Sequence, residues 1–111
     1  VVDVDEVGGE AVVSAIVGEG GRAFFLGGDV SQAADCRRAV ERTVDQLGGL
    51  DILFNNAGII RRSTVVDTTE EAWDRVMAVN VKSVFLLAKY AVPVMARAGG
   101  RSPTAPRRRL L

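Results

Sequence analysis

The sequence predicts an α/β fold built on a parallel sheet, and three observations carry that prediction. Short apolar runs at the start of the chain, at residues 23–26 and at Ile52–Phe54 are too brief for helices and stop abruptly at acids, glycines or amides. Such runs are the pattern of strands buried beneath helices on both faces. Between them lie two segments of helical length and spacing. Strands that alternate with helical crossovers assemble into parallel sheets.

The elements follow in order. Val1-Val2-Asp3-Val4-Asp5 opens as a β-branched strand closed by acids. Over residues 6–18, Val7, Ala11, Val12, Ala15 and Ile16 recur at helical spacing, and Gly18, Gly20 and Gly21 stop the helix. The letters Gly18-Glu19-Gly20-Gly21-Arg22-Ala23 spell a dinucleotide fingerprint, G-x-G-x-x-A. That fingerprint must follow a strand and open a helix; here it closes a helix and opens a strand, which excludes a phosphate loop. The next strand, from Ala23, runs out through Gly27-Gly28-Asp29-Val30. Ser31 is the expected N-cap of a second helix, in which Cys36, Ala39, Val40, Thr43, Val44 and Leu47 form one stripe before Gly48-Gly49. The third strand, Ile52–Phe54, runs into Asn55-Asn56-Ala57-Gly58. Asn side chains both donate and accept, and Gly lets a flat ligand approach the backbone. In open α/β sheets ligands bind at the carboxyl ends of strands, where these residues fall.

Beyond a loop at residues 59–66, Thr68 and Glu71 form a capping box for a long helical region that reaches residue 98. Met77, Val81, Val84, Ala88, Ala91 and Met95 alternate in steps of four and three, a seam suited to a partner helix. Phe85 and Leu87 widen the apolar surface beside it, Trp73 is expected in the core, and Pro93 kinks the last turns. Residues 99–111 have no period, two prolines and four arginines, and are expected to be a disordered basic tail.

Composition excludes several classes. With no His and one Cys among 111 residues, His-based triads and zinc sites are ruled out and no metal is expected. Cys36 reads as a small buried hydrophobe in a reducing, cytoplasmic setting. No uninterrupted apolar run reaches the roughly 18 residues of a membrane span. The formal charge of zero conceals an asymmetry: Arg97, Arg101, Arg107, Arg108 and Arg109 balance fourteen acids and nine bases in residues 1–96. Nucleic acid is nevertheless not an expected partner; such binding would fall steeply with salt.

With these pieces in order, residues 1–100 resemble the short-chain dehydrogenases/reductases. Asn55-Asn56-Ala57-Gly58 resembles the family's N-N-A-G motif, beside the adenosine part of a nicotinamide dinucleotide. Asp29-Val30 resembles its D-V pair, whose acid meets the adenine ring. Asp3, with Asp5 as the competitor in register, is similar to its ribose-binding acid. Val79-Asn80-Val81, twenty-two residues beyond Gly58, resembles the setting of the helical Asn in the family's catalytic tetrad. The resemblance implies a Rossmann-like three-layer fold, incomplete here, with residues 1–98 a partial dinucleotide-binding domain. It implies cofactor-binding roles for Asp3, Asp29, Val30, Asn56, Ala57 and Gly58, and a catalytic role for Asn80. The implied cofactor is NAD rather than NADP, because an acid at the ribose repels a 2′-phosphate. The implied substrate is a small alcohol or carbonyl compound, and the implied partner a second copy joined through residues 70–98.

The sequence also departs from the family. It contains neither T-G-x-x-x-G-x-G nor Y-x-x-x-K: Tyr90, the only Tyr, has Val94 four residues on. After Gly99-Gly100 the family continues into an apolar strand, which the Arg/Pro sequence does not resemble; a frameshift or wrong gene boundary produces such a junction. The chain by itself is therefore expected to be inactive, and in the family's strand order its sheet has a central gap. The alternative reading is a non-catalytic nucleotide-binding or dimerisation module.

Overall fold

A computed structural model describes residues 1–97 and 108–111. The observed order is β1 (Val2–Asp3), α1 (Glu6–Gly18), β2 (Leu26–Gly27), α2 (Ala33–Leu47), β3 (Ile52–Leu53), α3 (Glu70–Met77), a π-helical turn (Ala78–Lys82), α4 (Ser83–Arg97) and β4 (Arg109–Leu110). The α/β class and parallel pairing hold: β1 pairs with β2 through Val2–Leu26 and Asp3–Gly27, and β3 with β4 through Ile52–Arg109 and Leu53–Leu110. The strands are shorter than their apolar runs, and Phe54, expected within a doubly covered strand, is 57% exposed.

The core lies between α2, α4 and the β3–β4 pair, where Cys36, Ala39, Val40, Leu50, Leu86, Leu87, Ala91 and Leu110 cluster. The stripe read for α2 buries Cys36, Ala39, Val40 and Thr43 as its spacing requires. The chain passes from β1 outward to β2, then back across the sheet to β3. Right-handed crossovers therefore put α1 and α2 on opposite faces. On its face α1 packs against β1 and β2 and leaves Val7, Val12 and Val17 exposed. Its tightest approach is Gly9 against the Phe25 ring, where a Cβ would overlap the aromatic carbons.

Four local expectations are corrected. The N-cap of α2 is Gln32, without a side-chain bond, while Ser31 is drawn into a contact with Arg75. The cap of α3 is Thr69, whose Oγ1 accepts from the Ala72 N–H at 3.2 Å; the Thr68 hydroxyl instead donates to the Thr64 carbonyl at 2.7 Å. The seam on the long helix divides: Met77, Val81 and Val84 are exposed whereas Ala91 is fully buried. Val84 and Ala91 both lie beyond the π-turn and seven residues apart, so packing sets the difference: α4 is buried where α2 and β3 lie against it. Trp73, expected in the core, is 60% exposed, and Leu87 is buried while Phe85 faces out.

The helical stretch Glu70–Arg97 also contains an 18-residue window with the length and composition of a membrane span, mean hydropathy 1.3, which a search for uninterrupted runs overlooks because charged residues break them. Its buried side chains Leu86, Leu87 and Ala91 belong to the protein core.

Residues 99–107 of the expected disordered tail lie outside the described residues. The last four residues differ from the expectation, because Arg109–Leu110 pair with β3 and Leu110 is buried. Composition assigned the arginines to solvent, but Arg108 is neutralised by Asp51 and Leu110 adds apolar surface to the core.

Candidate functional site

The carboxyl ends of β1, β2 and β3 bring together the residues singled out from sequence. Asp3 ends β1, Asp29 and Val30 follow β2, and Asn55–Gly58 leave β3. Two adjoining hollows lie among them. One, of about 250 Å³, is lined by Asp3, Val30, Asn55, Asn56, Ala57 and Leu111, among others. The other, of about 120 Å³, is bordered by Asp3, Gly28, Asp29, Ala57, Gly58 and Arg75, among others. A roomier hollow of about 580 Å³ sits at the opposite, amino ends of the strands against Phe24, Leu47 and Arg108. It gathers none of the candidate side chains, so volume does not select the site.

Asn80 sits in the π-helical turn, and its side-chain amide clamps the loop after Gly58 from both sides. Oδ1 accepts from the Ile59 N–H at 2.8 Å and Nδ2 donates to the Ile59 carbonyl at 2.9 Å. The bonds span twenty-one residues and fasten the end of Asn55–Gly58 to the long helix. Gly58 packs under the clamp, where a Cβ would stand 3.5 Å from Asn80 Oδ1. π-turns that interrupt α-helices are frequent at functional positions.

Comparison with known proteins decides the family. Residues 1–102 match a family model described as enoyl-(acyl carrier protein) reductase. The chain belongs to the short-chain dehydrogenase/reductase family. An uncharacterized oxidoreductase of Thermotoga maritima is 48% identical over 98 residues, which are 88% of this chain and 38% of the relative. A cyclopentanol dehydrogenase of Comamonas sp. is 38% identical over 96 residues, 86% of this chain and 38% of that protein. Among solved structures, a short-chain dehydrogenase/reductase from Burkholderia xenovorans superposes with TM-score 0.81 at 32% identity, over 88% of this chain and 39% of its own. An NADH-dependent reductase responsible for alginate metabolism gives 0.79 at 30%, over 92% and 44%. The chain thus spans about two fifths of the curated relatives it matches. Its sheet is an incomplete version of the family's Rossmann fold.

Within this family's frame the two candidate acids near β1 separate by geometry. Asp5 is the N-cap of α1, its Oδ1 accepting from the Gly8 N–H at 3.1 Å. Asp3 is exposed, borders both hollows, and uses Oδ1 to accept from the Asp5 N–H at 3.0 Å. Asp5 borders neither.

Asp29 is held more firmly. Its Oδ1 accepts from the Ser31 N–H at 2.9 Å, and its Oδ2 from Arg75 Nη1 at 2.9 Å. The same Nη1 reaches Ser31 Oγ at 3.0 Å. Partial burial of the Asp29 carboxyl pushes its pKa up, but the bonds from Ser31 and the nearby Arg75 charge outweigh it and hold the group below the ordinary aspartate value. Arg75 was missed from sequence, and Ser31 was read there only as a helix cap. A lone arginine on a helix gives no periodic signal of a partner forty-six residues away. Val30 is buried and contributes apolar floor; its carbonyl accepts from the Cys36 thiol at 3.1 Å. Burial, with Asp35 and Asp29 nearby, raises the Cys36 pKa, consistent with an inert packed thiol. Among the described residues no group of His, Cys, Asp or Glu could hold a metal ion.

The donor set fits the adenosine half of a nicotinamide dinucleotide. A carboxylate at the strand end suits ribose hydroxyls, Asp29 lies across the smaller hollow from Gly58, and small residues floor the space between. No phosphate-binding glycine loop occurs among the 111 residues.

Proposed function

We propose that this chain is the adenosine-binding segment of an NAD-dependent oxidoreductase, whose whole protein interconverts an alcohol and a ketone or aldehyde. The observation that carries the reading is the convergence of Asp3, Asp29 and Asn56–Gly58 on two adjoining hollows at the carboxyl edge of the sheet. Relatives described as oxidoreductases and dehydrogenases support the reaction class. A bound dinucleotide supplies the hydride donor or acceptor. Asp3 accepts hydrogen bonds from the ribose hydroxyls and repels a 2′-phosphate, Asp29 meets the adenine edge, and Val30 supplies an apolar wall. Asn56, Ala57 and Gly58 present main chain and small side chains to the nucleotide. Asn80 commits its side chain to Ile59, so it enters the proton relay of the whole enzyme through its main chain.

The 111 residues alone are proposed to be inactive. Turnover needs the pyrophosphate anchored and a tuned acid/base near the reacting carbon, and neither T-G-x-x-x-G-x-G nor Y-x-x-x-K is present. Titration of the isotope-labelled chain with ADP-ribose and with its 2′-phosphorylated analogue tests the reading. ADP-ribose should shift the amides of Asp3 and residues 56–58, and Asp3→Asn should erase the preference over the phosphorylated ligand. Equal or tighter binding of the phosphorylated ligand by the parent chain would overturn the NAD assignment. Saturable turnover of any alcohol or ketone by the chain alone would overturn its inactivity.

A second reading has its own observation. Trp73, Met77, Val81, Val84, Phe85 and Val92 are exposed on the long helix, an apolar surface suited to a second copy, as symmetric homo-oligomers use. Sedimentation of the chain should give a dimer that Phe85→Glu dissociates; a monomer at micromolar concentration would remove this reading.

A further inference from the structure

The parity of the backbone bonds shows where β4 lies. In a parallel pair the groups of alternate residues point to opposite edges of the strand. On β1, the carbonyls of Val1 and Asp3 face β2, accepting from Leu26 and Gly28 N–H at 3.0 Å each. The Val2 N–H therefore faces the other edge, and it donates to the Leu111 carbonyl oxygen at 2.9 Å. On the last segment, the carbonyls of Arg108 and Leu110 accept from Ile52 and Phe54 N–H at 3.0 and 2.9 Å, while that of Leu111 points away towards β1. Arg108–Leu111 thus lies between β1 and β3, giving the spatial order β2-β1-β4-β3.

Two further features hold it there. The Asp51 carboxylate grips Arg108 three times: Oδ2 accepts from the main-chain N–H at 2.9 Å and Nε at 2.7 Å, and Oδ1 accepts from Nη2 at 3.0 Å. Arg108 Nη1 also donates to the Gly48 carbonyl. The Gly48-Gly49 turn is shaped for this guanidinium. Both residues have positive φ, 79° and 148°, and a Cβ on Gly49 would collide with it. Two positions beyond, Leu110 is 4% exposed and joins the core of α2 and α4.

We infer that Arg108–Leu111 is a latch strand that joins the two halves of the sheet, and that the slot it fills accepts one parallel extended segment with this chemistry. The segment carries an arginine for the Asp51/Gly48 socket and, two residues on, an apolar side chain for the core. Its occupant in this chain is the chain's own C-terminal segment. The latch also sets the candidate site. Leu111 borders the larger hollow together with Asp3 and Asn55–Ala57, so the strand that touches both β1 and β3 fixes the spacing between them. That consequence rests on the proposed nucleotide reading, whereas the latch itself does not.

Hydrogen exchange on the full chain tests it without any nucleotide. Arg108→Gln should speed exchange of the Val2, Ile52 and Phe54 amides by about tenfold or more while α2 and α4 keep their protection, the behaviour of a locally released strand. Leu110→Asp should expel the segment further, and a peptide of residues 104–111 added in trans should restore protection of the same three amides. A scrambled peptide should not. The inference is overturned if Arg108→Gln leaves those amides as slow as in the parent chain. It is also overturned if the native peptide fails to protect them in Leu110→Asp, whether that variant is locally opened or wholly unfolded. Loss of ADP-ribose binding with the three amides still protected would count against the nucleotide reading alone.

Discussion

Helices α1 and α2 are of similar length, each joins two strands consecutive in the chain, and they meet opposite fates. α2 buries Cys36, Ala39, Val40 and Thr43, whereas α1 buries Gly9 alone and leaves Val7 82% exposed. Apolar content does not explain this, because α1 is the more apolar of the two; its Val7, Ala11, Val12, Val13, Ala15, Ile16 and Val17 are spread around the helix. What differs is the opposing surface. α2 lies against α4, itself a helix with buried Leu86, Leu87 and Ala91, while among the described residues α1 packs chiefly against β1 and β2. Burial requires a partner surface as well as a stripe. The candidate site straddles the boundary: Asp3 ends a strand on the α1 side, and the β3 loop is fastened to the long helix by Asn80.

Five tests sharpen or break this contrast. Leu50→Ala removes a fully buried side chain from the dense side. It should cost about 2–5 kcal/mol in denaturant unfolding; a loss within about 0.5 kcal/mol would mean that side is no better packed than the other. Gly9→Ala attacks the one tight contact of α1, and the overlap with Phe25 should cost about 1–3 kcal/mol. Phe25→Leu in the same chain should recover part of that loss, and strictly additive effects would refute the contact.

Asn80→Ala should cost about 1 kcal/mol for its two bonds to Ile59 and speed exchange of the Ile59 amide; unchanged exchange there would dissolve the clamp. Asp29 supplies a pH signature. Its carboxyl is held below the ordinary value in the folded chain, so its contribution is present above the unfolded aspartate pKa of about 3.9. The contribution declines as pH falls through that value and is lost below the folded pKa. Unfolding midpoints from pH 6 down to pH 2 should fall less steeply in Asp29→Asn than in the parent. An unchanged acid limb would remove the Arg75 and Ser31 bonds as the cause. The smallest effect belongs to Val7→Ser on the exposed side of α1, within about 0.5 kcal/mol. A larger loss, measured in the same titration, would show that α1 is packed by something other than β1 and β2.

Much of the candidate site was legible because short-range chemistry wrote it. A strand ending in Asn-Asn-Ala-Gly, acids at two other strand ends and an Asn within a mostly apolar helix are visible in a linear reading. Arg75 was not, since its meaning comes from Asp29 and Ser31 across the fold. The role of the Asn80 side chain was also hidden. Sequence placed it in a regular helix, and only the π-turn and the position of the loop show the amide closing on Ile59.

The alternation of strand and helix, the stripe of α2 and the rejection of the glycine-rich stretch after α1 as a phosphate loop follow from period and order, which any local window contains. The facing of α4 does not, because its apolar residues occupy more than one flank and the flank that is buried is set by α2 and β3 lying against it. Nor does the fate of Arg108–Leu111. Read alone, an arginine run before two leucines has no strand period. Beside Asp51, the Gly48-Gly49 turn and two unfilled strand edges, the same residues find a counter-charge, a core and backbone partners at once. Pairing of that kind is a property of what lies opposite, and in this chain what lies opposite Arg108 is fifty-seven residues away.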